Sequence, residues 1–186
     1  MTVDEALRDA EHKMQGAASV TQEELSSIRT GRANPKLLDR VGVDYYGTQT
    51  ALNGLASFSV PEPRLLVIQP FDRAAMSAIE KAILASDLGL TPSNDGNVIR
   101  LAFPPLTEER RKELIRLAHQ RGEDGRVSVR NVRRHCKDML ERLERERAIS
   151  EDDLKRAEKE LQRLTDHYVS EIDGILARKE EELGEV

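Results

Sequence analysis

The chain has 186 residues and a formal net charge of −5, with 34 % charged residues, 3 % aromatics and no Trp. That length suits one or two domains, and the composition suits long helices with a thin core, each burying one stripe and solvating the rest. No apolar run exceeds four residues, which excludes a bilayer-spanning helix. The single cysteine, Cys136, excludes an internal disulfide framework and fits a reducing cytoplasm.

Taken in chain order, residues 2–29 read as a helix. Thr2 and Glu5 form a capping box, and Met1 to Glu5 lack the basic start and apolar block of a secretion signal. Val3, Leu7, Ala10, Met14, Ala17, Thr21, Leu25 and Ile28 then recur at spacings of three and four, with polar Thr21 as the weak point. Gly31 to Pro35 breaks the helix, and the period changes to two. Val41, Val43 and Tyr45 alternate with Gly42, Asp44 and Tyr46, and Gly47-Thr48 is expected to make a type II′ hairpin turn. Ala56, Phe58 and Val60 read as a second strand, and Leu65–Ile68 as a more buried one. Asp72 caps a short helix over roughly 73–86, with Ala75, Met76, Ile79, Ile83 and Leu84 inward. Residues 91–97 read as a loop. Val98 to Phe103 form a last strand, stopped by Pro104-Pro105.

The helical pattern returns at Thr107, with Glu108 and Glu109 favourable against the macrodipole. The reading is one long helix over 107–147, roughly 60 Å by its rise. It is softened at Gly122 and Gly125, and the competing reading breaks it at Gly122. Ser150 caps a third helix, whose stripe from Leu154 to Leu183 keeps heptad-like spacing. The fold class read from this pattern is α+β: an elongated antiparallel three-helix bundle interrupted by a small β/α/β domain. The bundle takes 1–31 and 106–186, the insert 32–105. The chain crosses between them near 31–35 and 104–106, so Gly31, Arg32, Ala33, Asn34, Pro104 and Pro105 are the candidate hinge.

The most informative segment is 126–137, with five basic residues and no acid. At 100° per residue, Arg126, Arg130, Arg133 and Lys137 fall within about 60° of one another, with Arg134 adjoining. The line of Val129, Val132, Cys136 and Met139 lies roughly a third of a turn away, so one face can pack while the other projects cations. A row of planar guanidinium groups suits a phosphate backbone. A charged run on a helix is also commonly only a solvated face. Against that stand the missing interleaved acids and the opposite balance of 150–186, which carries six basic and twelve acidic residues. Arg29 and Arg32 either extend the patch or pair with helix ends at the hinge.

Catalytic signals are weak. There is no Walker loop, G-x-G-x-x-G, G-x-S-x-G or H-E-x-x-H. His12, His119, His135 and His167 have no second ligand at a metal-like spacing, and Cys136 sits on the apolar stripe. Tyr45-Tyr46 could stack bases, although strand alternation favours one ring inside and one exposed. Two other classes stay open on the residues alone. One is an adaptor bundle whose arginines only solvate it. The other is an enzyme centred in 32–105, which lacks a persuasive acid–base spacing.

The strings IRTGRANPKLLD (28–39), VDYYGTQTAL (43–52), KAILASDLGL (81–90), PPLTEERRKEL (104–114), VSVRNVRRHCKDML (127–140) and ISEDDLKRAEKELQRLTD (149–166) together resemble the bacterial ribosome recycling factors over the whole chain. The resemblance implies an L-shaped cytoplasmic monomer with no cofactor and no enzymatic activity of its own. It implies binding to the post-termination ribosome in the cleft vacated by tRNA, and subunit splitting with elongation factor G and GTP, followed by mRNA and tRNA release. It also implies that the bundle meets large-subunit ribosomal RNA through Arg130, Arg133 and Arg134, while the small domain and joint face elongation factor G.

Overall fold

A computed structural model describes residues 1–184. The order is α1 (Val3–Ser26), β1 (Gly42–Tyr45), β2 (Thr48–Ala51), β3 (Ala56–Glu62), β4 (Leu65–Pro70), α2 (Met76–Ala85), β5 (Pro92–Asn94), β6 (Ile99–Ala102), α3 (Glu108–Arg145) and α4 (Glu151–Gly184). The architecture is α+β. Among the described residues, one compact unit comprises Met1–Arg29 with 108–184, the other Thr30–Thr107.

In the helical unit, α1 starts where its capping box dictates. The Thr2 hydroxyl accepts the Glu5 N–H at 3.2 Å, and the Glu5 carboxylate accepts the Thr2 N–H at 2.7 Å. It ends at Ser26, three residues before the expected end. Ala6 and Ala18 are fully packed with Ala10 and Met14, whereas Val3, Leu7 and Ala17 are only half-buried. The apolar stripe therefore lies on the small side chains, and α1 sits close against its neighbours.

Helix α3 runs unbroken for 38 residues, about 57 Å at the standard rise. Gly122 and Gly125 are buried positions within it. It stops two residues before the expected end, because Arg147 adopts a left-handed φ of 58° and its N–H turns back to the Glu144 carbonyl at 2.8 Å. Ser150 then caps α4, its hydroxyl accepting the Asp153 N–H at 3.0 Å. Pairings fix the directions. Cys136 meets Ala6 while Arg121 approaches Glu24, so α1 and α3 run antiparallel. Lys137 approaches Glu158 while His119 reaches Glu180, so α3 and α4 do too. Ala10, Met14, Val129, Leu140, Leu161, Leu164 and Ile172 belong to the core between the three helices.

The smaller unit holds two antiparallel sheets. The hairpin β1–β2 pairs Tyr45 with Thr48, so its two-residue turn is Tyr46-Gly47, one position earlier than expected. Both turn residues have positive φ, 50° and 79°, which defines type I′ rather than II′. The second sheet has the order β3-β4-β6-β5, all antiparallel. Leu66 faces Leu101 and Ile68 faces Ile99 across β4 and β6. These four side chains, all buried, share a core with Ile79 and Ile83 of α2. Leu65 and Val67 point the other way and are only half-buried, so β4 is covered on one face rather than both. Asp72 caps a 3₁₀ turn, Arg73–Ala75, that leads into α2, its carboxylate accepting the Ala74 N–H at 2.9 Å. Leu84 departs from the expected inward set, since α2 turns it outward to 61 % exposure.

Three elements go beyond the sequence pattern, one of them a 3₁₀ turn at Leu52–Gly54. Pro35–Leu38 forms a 3₁₀ turn capped by the Asn34 side chain, which accepts the Lys36 N–H at 3.0 Å. Pro92–Asn94, expected as loop, pairs with β6 as an edge strand that opens on its proline, a placement that sheets tolerate.

Candidate nucleic-acid interface

The basic row lies on α3, and helical spacing brings its members to adjoining positions as expected. The row is not uniform. Arg126, expected to project like the others, has a side chain only 20 % exposed, against 49 % for Arg130 and 52 % for Lys137. It bridges Glu123 on its own helix, at 3.0 Å, and Asp173 on α4. Burial opposes its charge, and the two carboxylates together outweigh that opposition, so its protonated form is favoured further. Arg126 is thus a neutralised brace between α3 and α4. The Arg126 and Arg130 guanidinium groups in turn hold the Glu123 carboxyl below its ordinary range.

The remaining four cations differ in their partners. Arg130 shares Glu123, at 3.2 Å. Lys137 stands 3.8 Å from both Glu141 and Glu158, at the edge of ion-pair range. Arg133 and Arg134 have amide partners instead. The Arg133 Nη1 donates to Gln162 Oε1 at 3.1 Å, and the Arg134 Nη2 to Asn131 Oδ1 at 2.9 Å. Among the described residues no carboxylate forms an ion pair with either. An amide oxygen orients a guanidinium without cancelling its charge, so these two carry the least compensated positive charge of the row.

Glu123 and Asp173 shape the row and were missed in the sequence. Glu123 was legible as an i,i+3 partner of Arg126 just upstream of the acid-free segment. Asp173 and Gln162 belong to another helix and become visible only with the α3–α4 register. Arg29 is exposed beyond the end of α1. That end of α1 lies level with the part of α3 before Arg126, since Glu24 already approaches Arg121. Arg32 is half-buried and belongs to the smaller unit, as do Gly31, Ala33, Asn34, Pro104 and Pro105 of the candidate hinge. Gly31 has a left-handed φ of 75°. The Ala33 N–H donates to the Pro63 carbonyl at 2.8 Å, and Asn34 caps the 3₁₀ turn, so both are tied down within that unit.

Cys136, His119, His167, Tyr45 and Tyr46 have structural partners. Cys136 is 4 % exposed, with its thiol directed at the Ala6 carbonyl at 3.6 Å, and burial pushes its pKa up. His119 pairs with Glu180 at 2.6 Å, and the His167 ring meets Tyr168 edge-on. Among the described residues no three His, Cys, Asp or Glu side chains gather as a metal site, and no helix is long and apolar enough to cross a membrane. Tyr45 donates its hydroxyl to Asp72 at 2.8 Å, while the Tyr46 ring packs edge-on against Tyr45 and is 80 % exposed.

The family model described as ribosome recycling factor matches residues 21–183. The chain belongs to the ribosome recycling factor family. It is 56 % identical over 181 residues to the ribosome-recycling factor of Natranaerobius thermophilus, covering 97 % of this chain and 98 % of that one. It is 55 % identical over 184 residues to that of Thermobifida fusca, covering 99 % and 100 %. Among solved structures it is similar to a ribosome recycling factor determined in solution, with TM-score 0.76, 45 % identity and coverage of 100 % and 99 %. Another similar chain has TM-score 0.66, 46 % identity and coverage of 98 % and 99 %. It comes from models of the T. thermophilus ribosome recycling factor and the E. coli elongation factor G bound to the E. coli post-termination complex. In this chain the α3 row is mixed, since Arg126 braces two helices through carboxylates while Arg133 and Arg134 are held by amide oxygens.

Proposed function

We propose that this protein recycles ribosomes after termination. It binds the post-termination ribosome and, with elongation factor G and GTP, promotes splitting of the subunits, after which mRNA and tRNA leave. The observation that carries the reading is the Arg133–Arg134 pair on a stiff helix, Arg133 half-buried and Arg134 exposed, both held by amides rather than carboxylates. Such a pair suits the phosphates of large-subunit ribosomal RNA, with Arg130 and Lys137 adding to the field. Family membership supports the same reading, as does the T. thermophilus relative seen with elongation factor G. The chain acts as a cytoplasmic monomer and mechanical element without catalysis of its own, and its partner GTPase supplies the energy. In this reading the crossings near Gly31 and Pro104-Pro105 are the joints at which the smaller unit is driven.

Light scattering of post-termination ribosomes tests it. With this protein, elongation factor G and GTP all present, scattering falls as subunits separate, and leaving out any one abolishes the fall. Splitting that proceeds equally well without this protein would sink the proposal.

A further inference from the structure

We infer that Gln162 is a positioning residue for ribosomal RNA binding: it aims the Arg133 guanidinium outward while leaving its charge uncompensated. The inference rests on the RNA reading of the α3 row. Gln162 lies on α4, exposed, opposite Arg133. Its Nε2 donates to Asp166 Oδ1 at 2.8 Å, one turn further along α4. A carboxylate can only accept, so this bond fixes the amide with its NH₂ toward Asp166 and its oxygen toward Arg133. Arg133 then uses one of five N–H donors internally and keeps the others for a phosphate.

The same helix carries the contrasting case. Arg126 meets carboxylates from both α3 and α4 and is drawn in as a brace. Arg133 meets α4 at Gln162 and stays available. The neighbouring Arg134 repeats the device, with Asn131 as its amide. The residue type at position 162 therefore decides whether Arg133 is a binding group or a second brace. Pre-orienting the side chain also lowers the entropy lost when phosphate is bound.

The test measures binding of the full chain to isolated large ribosomal subunits across a salt titration. Five variants are compared: Gln162→Glu, Gln162→Ala, Arg133→Ala, the Arg133→Ala/Gln162→Glu double variant, and Gln15→Glu. The last is a charge-matched control at an exposed position on α1. Gln162→Glu is expected to weaken binding about tenfold and to flatten the log Kd against log salt slope by about one, as one phosphate contact is lost. Gln162→Ala should weaken binding about threefold at unchanged slope, because the charge remains and only its aim is lost. Gln15→Glu should change neither, and Gln162→Glu should add nothing once Arg133 is removed. Wild-type binding by Gln162→Glu, beside a weakened Arg133→Ala, would overturn the inference while leaving the RNA reading intact. The inference also falls, with the RNA reading again intact, if Gln162→Glu still weakens binding in the Arg133→Ala background. Wild-type binding by Arg133→Ala would overturn the reading of the row itself, and the inference with it.

Discussion

Gly125 of α3 lies directly against Thr21 of α1. A Cβ placed on Gly125 would stand 2.2 Å from the Thr21 hydroxyl oxygen and 3.2 Å from its Cβ and Cγ2. Thr21 is 2 % exposed, and its hydroxyl is satisfied by the Ala17 carbonyl at 2.9 Å. The threonine that looks like a flaw in the α1 stripe and the glycine that looks like a flaw in α3 are one contact. Together they let two helix backbones approach closely.

Gly125→Ala should therefore destabilise the protein by about 2 kcal/mol, even though alanine is the better helix former by about 1 kcal/mol. Urea unfolding followed by helical circular dichroism checks this. Thr21→Ala removes the closest atoms, so the Gly125→Ala/Thr21→Ala pair should be more stable than Gly125→Ala alone. Additive losses would show that the two positions are uncoupled.

Gly122→Ala should behave differently. Its added Cβ would meet the Leu176 Cδ2 at 3.0 Å, the far end of a flexible side chain. A small rotamer shift relieves that contact, so the gain in helix propensity nearly offsets it, and the change should stay within about 0.5 kcal/mol. The same unfolding series reads both glycines.

Arg126 and Arg133 should separate by what they affect. Arg126→Ala unpairs Glu123 and Asp173 and removes a half-buried bridge between α3 and α4, which should cost about 1 kcal/mol of stability. It should shift the salt dependence of ribosome binding little. Arg133→Ala should leave stability within about 0.5 kcal/mol, weaken binding, and lower the salt slope. Denaturant unfolding together with binding at several salt concentrations distinguishes the two profiles.

The smaller unit carries an acid-sensitive loop. The Asp95 carboxylate accepts the Val98 and Asn97 N–H groups, each at 2.9 Å, and pairs with Arg100; the Val98 bond first, then Asn97 and Arg100, hold its pKa far below the ordinary range. Asp72 is lowered too, by the Ala74 N–H and then the Tyr45 hydroxyl. In both cases the folded pKa lies below the unfolded one. The stabilisation is therefore full above the unfolded value near 4 and fades as pH falls toward the folded value. Asp95→Asn should be less stable than wild type at pH 7, with the gap narrowing toward pH 2. Urea unfolding at stepped pH measures the gap, and a gap that widens in acid would contradict the sign.

Cys136 should be a reporter of bundle opening. Burial against Ala6 raises its thiol pKa and shields it, so alkylation of the native protein at pH 8 should be far slower than in urea. Gly125→Ala should speed alkylation by loosening the α1–α3 contact. Rapid native modification would place Cys136 outside the core.

What the sequence determined by itself is everything set by near neighbours. The Thr2–Glu5 and Ser150–Asp153 caps, the length of α3, and the alternation that buries Ile99, Leu101 and Phe103 were all legible, because each rests on residues a few positions apart. So was the juxtaposition of the basic row on one helix face. The tertiary structure decided which face of α1 packs, since Ala6 and Ala18 are chosen by how closely α3 and α4 approach. It decided that Pro92–Asn94 is a strand, because its ladder partner is β6. It also decided the fate of each arginine. Asp173 and Gln162 lie 47 and 29 residues from the cations they hold, and only the register of two antiparallel helices brings one carboxylate to Arg126 and one amide to Arg133.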